Sequence, residues 1–292
     1  MITPDLLTSL IKQNGLEQYT ADLLKMSRPA IHLKAMPVAD EGSLSPGVSK
    51  FGGAPDLPAG FNWPRWQNKP LTFMAQIHLS DVAAFDTEHL LPASGWLHFF
   101  YALTDQPWGA PDQRDSWHLY YTAEPAALNR VQPPEAALPA RALSFGQNLT
   151  LPVLADDHPD GIYNLFAHGL PGQISVRAEN IDDFDGLRQA AEGPVTPLHQ
   201  LLGNPAQLQD DIRAMAQYAA NGIDTSAAQQ DKAHLAKLAS GIESWRLLLQ
   251  IDSDRDSFGT SWGDAGCMYL CITTAALVAR QFDSAWLITQ SD

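Results

Sequence analysis

Two stretches of the chain carry the same pattern of apolar and polar positions. The first, Leu71 to Ala102, reads L-T-F-M-A-Q-I-H-L, then a gap, then G-W-L-H-F-F-Y-A. The second, Trp245 to Thr273, reads W-R-L-L-L-Q-I-D-S-D, then a gap, then G-C-M-Y-L-C-I-T. Each joins an apolar run ending in Gln-Ile (Gln76-Ile77, Gln250-Ile251) to a run opened by glycine (Gly95, Gly266). Apolar runs this short, bounded by turn residues, predict strands. A Gly-x-Pro turn stands upstream of each, Gly53-Ala54-Pro55 and Gly203-Asn204-Pro205. The pattern predicts a fold assembled from two related β units.

The remaining segments fill in around these units. Leu6, Leu7, Leu10 and Ile11, then Leu16, Tyr19, Leu23 and Leu24, keep helical spacing on either side of Gly15. They predict two helices within Pro4 to Met26. Ala30 to Val38, Trp117 to Thr122, Ala142 to Phe145 and Ala285 to Gln290 read as strands. Short helices are expected after Ser80, over Asp182 to Ala191, Ala206 to Ala220, Gln229 to Ser240 and Thr274 to Arg280. Val48 to Trp66 is too rich in Gly and Pro for a helix or a central strand, and reads as an ordered loop. Strands that follow one another across short gaps favour antiparallel pairing. The expected class is α+β, with mainly antiparallel β-sheets, an internal pseudo-repeat, peripheral helices and an N-terminal helical segment. Residues 1–30 would form that segment and 31–292 one domain. Within it, unit one covers about 48–132, a connector 133–198 and unit two 199–292.

Charge and composition narrow the function classes. Against 18 Lys and Arg the 292-residue chain sets 33 Asp and Glu, a formal net charge of −15. Such a surface repels phosphate backbones, so nucleic acid is not an expected partner, and it would speed the approach of a basic protein. The two cysteines, Cys267 and Cys271, lie roughly 13 Å apart along a predicted strand, too far for a disulfide. That usage fits a reducing compartment. With no basic leader before an apolar run, and no run long enough to span a bilayer, the expectation is a cytoplasmic protein without a membrane partner.

Several of these stretches resemble the YwqG-like family, a bacterial domain family of unknown function. The motifs are K-F-G-G-A-P-D-L-P (Lys50 to Pro58), Trp63-Pro64, P-L-T-F-M-A-Q-I (Pro70 to Ile77) and L-P-A-S-G-W-L-H-F-F (Leu91 to Phe100). Further on come H-Q-L-L-G-N-P (His199 to Pro205), L-L-L-Q-I-D-S-D (Leu247 to Asp254) and W-G-D-A-G (Trp262 to Gly266). The resemblance implies a mainly-β α+β fold and no established activity or catalytic residue. It also suggests an immunity or antitoxin role, from the gene neighbourhoods of some relatives.

Candidate chemistry concentrates in D-S-D-R-D-S-F-G-T-S-W-G-D, where Asp252, Asp254 and Asp256 alternate and Asp264 follows. Carboxylates so spaced begin like a calcium loop, and calcium or magnesium would be the cation. Ser257 then stands where the tight turn wants glycine, and Gly263 where a bidentate glutamate belongs. The competing reading is a polar loop whose aspartates cap backbone N–H groups. Nine histidines, His78, His98 and His118 among them, show no metal-binding spacing. No nucleophile elbow or phosphate loop is present. Trp63, Trp66 and Trp262 would form a recognition groove if they reached one surface, and would otherwise pack loops.

The chain therefore reads first as a protein-binding module with no cofactor, able to take a basic partner. A metal-assisted hydrolase using Asp252, Asp254 and Asp264 is the first alternative. A small-ligand or glycan binder using the loop tryptophans is the second.

Overall fold

In the computed structural model, residues 3–123, 127–153, 162–164, 175–177, 180–192, 197–224 and 232–291 are described. Ten strands form one sheet: β1 (Arg28–Pro37), β2 (Lys50–Phe51), β3 (Thr72–His78), β4 (Trp96–Tyr101), β5 (Trp117–Thr122), β6 (Arg141–Thr150), β7 (His199–Leu202), β8 (Trp245–Asp252), β9 (Cys267–Thr273) and β10 (Trp286–Gln290). Their spatial order is β10-β9-β8-β7-β1-β6-β2-β3-β4-β5, antiparallel throughout. The class expected from sequence, α+β with mainly antiparallel sheets, is the class found.

That order is two copies of one arrangement placed back to back. Strands β2 to β5 form one wing and β7 to β10 the other, with β1 and β6 between them. The leading strands are exchanged: β1 pairs with β7 of the later wing, and β6 with β2 of the earlier one. The strand expected over four residues at Ala142 is ten residues long and runs beside β1 from Arg28↔Thr150 to Pro37↔Arg141.

The equivalence extends to single residues. Gln76 pairs with Lys50 and His98, and Gln250 with Gln200 and Tyr269. A bulge falls two residues before each glutamine, between Phe73 and Ala75 and between Leu247 and Leu249. Gly95 and Gly266 occupy matching places. Their carbonyls accept from Leu79 N–H at 2.8 Å and Ser253 N–H at 3.1 Å. A side chain at Gly95 would lie 2.6 Å from Thr122 O, and one at Gly266 2.2 Å from Gln290 O. Those contacts explain why a glycine opens both strands.

The sheet curls until its edge strands approach one another. Trp117 Nε1 donates to Ala285 O (3.0 Å) and Trp286 Nε1 to Gly109 O (2.8 Å), with the two rings edge-to-face at 5.4 Å. Arg114 lies over both rings. The main core unites Ile31, Leu33, Phe51, Met74, Phe99, Leu201, Leu249 and Leu270 from strands of both wings. A satellite core forms under the Gly/Pro-rich loop, where Leu57, Leu71, Phe73 and Phe100 pack with Phe61, Trp63 and Trp66.

Helices cover the periphery. α1 (Pro4–Gln13) starts on a Thr3 cap with Pro4 in its first turn, and its chain reverses after Asn14 through Gly15. α1 and α2 (Thr20–Met26) bury Leu7, Ile11, Leu23 and Met26 against Leu151 and against α4 (Ile181–Glu192); the helix Leu79–Val82 is α3. α5 (Ile212–Ala220) begins later than its apolar pattern suggests, because Asp211 caps it by accepting from Arg213 N–H. The remaining helices are α6 (Lys232–Leu238), α7 (Arg255–Phe258) and α8 (Thr274–Val278). Among the described residues no helix is long and apolar enough to cross a membrane.

Candidate functional site

The repeat places two buried glutamines at the heart of the wings, and each ties a Gly-x-Pro loop to the sheet. Gln76 donates to Val48 O (2.8 Å) and accepts from Asp56 N–H (2.8 Å). Gln250 donates to Leu198 O (3.2 Å) and accepts from Ala206 N–H (3.0 Å). His98 Nε2 donates to Asp56 O (2.9 Å), and Tyr269 Oη to Ala206 O (2.8 Å). Lys50 Nζ donates to Ala54 O (2.5 Å), and Gln200 Nε2 to Asn204 O (2.8 Å). The Gly-x-Pro motifs are thus structural, locked by matching bonds from different side chains.

Among the described residues, the first wing alone uses charge for this. Lys50, fully buried, pairs with Glu41 (2.8 Å) and lies 3.7 Å from Asp56. Arg130 closes the cluster on Asp56 at 2.9 Å. Burial pushes the Asp56 carboxyl up. Bonds from Arg130, Gly47 and Gln76, with the Lys50 charge, outweigh that and hold it below its ordinary value. Burial lowers His98 to about 4.

The second wing contains an open cleft of about 410 Å³ beside the C-terminal half of β1. It is lined by His32, Leu33, Lys34, Ala35 and Pro37 of β1, by Arg141 and Pro197, and by His199, Asp254, Asp256 and Ser257. The cleft exists because β7 is short: its pairing with β1 runs from Ala30↔Leu202 to Leu33↔His199. Among the described residues no strand pairs with Lys34 to Pro37 on that edge.

The polar groups around the cleft are mostly committed. Asp252 N–H donates to His199 Nδ1 (3.1 Å), which leaves the ring proton on Nε2, facing Asp254 Oδ2 at 3.4 Å. That bond, above all, holds the Asp254 carboxyl below its usual range. The other Asp254 oxygen caps α7 by accepting from Ser257 N–H (2.9 Å). Burial raises the Asp252 carboxyl, while its oxygens accept from Leu198 N–H and Ser253 N–H. The Arg141 guanidinium donates to Ala140 O and Asp256 O. His32 differs: its Nε2 is buried and makes no hydrogen bond. Burial, then the neighbouring His199 and Lys34, lower its pKa.

A histidine on an aspartate invites a catalytic reading, but the first wing holds the same device without the imidazole. Ser49 Oγ accepts from His78 N–H (2.9 Å) and donates to Asp81 (2.7 Å), as His199 does with Asp252 and Asp254. With both ring nitrogens engaged, His199 has no free nitrogen with which to take a substrate proton. Among the described residues no Ser, Thr or Cys side chain bonds to its ring. The pair anchors the turn into α7.

The sequence candidates do not all meet at this cleft. Asp254 and Asp256 line it, Asp252 stands behind His199, and Asp264 is exposed elsewhere on the loop. Among the described residues no group of three or more His, Cys, Asp or Glu could hold a metal ion. Asp252 and Asp254 accept from backbone N–H groups instead. Trp262 is buried in the main core against Phe258 and Tyr101. Trp63 and Trp66 are half-buried in the satellite core, and Trp63 Nε1 donates to Leu71 O. The tryptophans therefore form no common groove, because their rings close two separate cores. Cys267 and Cys271 are free and buried.

Set beside known protein families, residues 49–291 match the one described as Domain of unknown function (DUF1963). The chain belongs to that family. The match takes in both wings of the sheet and the cleft-lining residues from Arg141 onward, while the whole of β1 lies ahead of it. No curated protein matches the chain. Within this DUF1963 chain, sequence reasoning missed His32, Ala35, Arg141 and His199 as cleft residues. One signal for His199 was available: it stands one residue before Gln200, as Ser49 does before Lys50, in the repeated run leading to each Gly-x-Pro turn.

Proposed function

We propose that the chain is a protein-binding module whose recognition site is the cleft beside β1. The observation that carries the reading is a break in the repeat at one position. His32 pairs with Gln200 as Ala142 pairs with Lys50, so Ala35 and Phe145 hold equivalent places three residues further along. Both pack against the main core, but the alanine also lines the cleft and fills less space there than the phenylalanine does at the equivalent place. The scaffold is thus kept in both wings, and room is left in one.

Binding is favoured over hydrolysis because the His199, Asp252 and Asp254 groups are spent on holding the chain. The net charge of −15 favours a basic protein as partner and would speed its capture. An immunity-type role in the cytoplasm is the finer form of this reading, as is placement among YwqG-like proteins. Both rest on the motifs from Lys50 to Gly266.

The test is position-specific cross-linking in cells. A photoreactive residue at Lys34 should yield a discrete polypeptide adduct, and one at exposed Val278 should not. Ala35→Phe, which copies the first wing, should abolish the adduct. Equal adducts from both positions, or none from Lys34, would remove the reading.

A further inference from the structure

The cleft's shape follows from a strand that outruns its neighbour, and the backbone parity of β1 says what fills it. Leu143 N–H donates to Ser49 O, away from β1 and toward β2. The N–H and C=O of a strand residue point to the same side, so the pair Ala35↔Leu143 is of the type that exchanges no bonds. The N–H and C=O of Ala35 therefore face the opposite edge, where β7 has ended and the cleft begins. Pro37, two residues on, offers its C=O there and has no N–H.

We infer that the cleft takes an extended segment of a second polypeptide as an added strand. The segment runs antiparallel to β1, on the line that β7 would follow if it continued. One of its residues exchanges both backbone bonds with Ala35, the pairing available to an open edge. The overhang from Lys34 to Pro37 gives a slot of about 13 Å, so about four residues of the segment are held. The small side chain of Ala35 leaves more space for the facing residue than a phenylalanine, which holds the equivalent place in the other wing, would leave. A polypeptide fits better than a small polar ligand because the cleft offers a backbone donor and acceptor in strand geometry, with the unbonded His32 Nε2 beside them. The polar side chains Arg141, His199 and Asp254 are already bonded within the fold. A separate, basic partner is the occupant assigned, from the charge of −15. This inference rests on the cleft being the recognition site.

The probe is a displayed library of random decapeptides, selected on the purified full chain and counter-selected on Ala35→Phe. Enriched peptides are then made with N-methyl groups at successive positions. The expected result is that methylation at one alternate set lowers affinity at least tenfold, while the other set is tolerated. The Ala35 amide should also exchange at least tenfold more slowly when peptide is bound. These two readouts use the unaltered protein, so they hold even if Ala35→Phe folds poorly. Peptides that bind at the cleft with every N-methyl tolerated and Ala35 unprotected would sink the added strand and leave the cleft as a binding site. So would a Lys34 adduct with no enriched peptide. No adduct and no peptide would overturn both. A doubling of mass with concentration, lost in Ala35→Phe, would assign the slot to a second copy of the chain and overturn the separate partner.

Discussion

Replacing Lys50 by methionine tests whether the two wings share one design with different chemistry. The substitution keeps the length of the stem and removes the charge. It strips the bonds to Glu41 and Ala54 O and leaves the fully buried Asp56 with Arg130 as its remaining ion-pair partner. Removing one member of a buried ionic cluster costs about 3–5 kcal/mol, chiefly by stranding the opposite charge. The equivalent change, Gln200→Met, removes a neutral bond to Asn204 O and strands a carbonyl, at about 1–3 kcal/mol. Urea unfolding at pH 7 should show both variants destabilised, with Lys50→Met the worse by about 2 kcal/mol. Equal losses would refute the claim that charge holds the first loop. A neutral Gln200→Met would refute the equivalence of the two positions.

Other outcomes follow from the same contacts. His98 has its pKa lowered to about 4, from 6.5, with Nδ1 buried and unbonded. The unfolded chain therefore binds the proton first. Stability from this group is complete above pH 6.5 and falls by about 3 kcal/mol as pH drops to 4. Urea titrations across that range should show the loss, and His98→Gln should flatten it. Gly95→Ala and Gly266→Ala each drive a methyl into a backbone carbonyl and should lower the melting temperature by several degrees; an unchanged melting point for either would contradict the packing described. Calcium or magnesium added to chelator-treated protein should leave the melting temperature unmoved, since the Asp252 to Asp264 carboxylates do not converge; a rise saturating at micromolar metal would reverse that reading. Cys267 and Cys271 are buried, with their thiols pushed up by desolvation, and should resist a thiol reagent until the protein unfolds.

The repeat was legible because its strongest marks are local. Gln76 and Gln250 must reach the backbone of a loop, and Gly95 and Gly266 must leave space for a carbonyl, so both residue types recur at matching places. The centre of the sheet was not legible. Pairing of β1 with β6 joins residues more than a hundred positions apart, and the exchange of leading strands leaves no periodic trace. Lys50 looked like one letter of a motif, because nothing near it in sequence announces Glu41, Asp56 and Arg130 as its company. The tryptophans misled because a ring that closes a core and a ring that grips a ligand carry the same composition signal. The cleft was invisible for a simpler reason: it is set by where β7 stops and by an alanine, and neither has a chemical signature.

The most direct measurement is partner capture through the Lys34 cross-linker in two single variants compared side by side. In Val278→Ser, a change on exposed α8 outside the cleft, capture should persist. In Ala35→Phe, the room beside β1 is filled and capture should vanish. Loss of capture in a folded Val278→Ser chain, with capture retained in Ala35→Phe, would contradict the account.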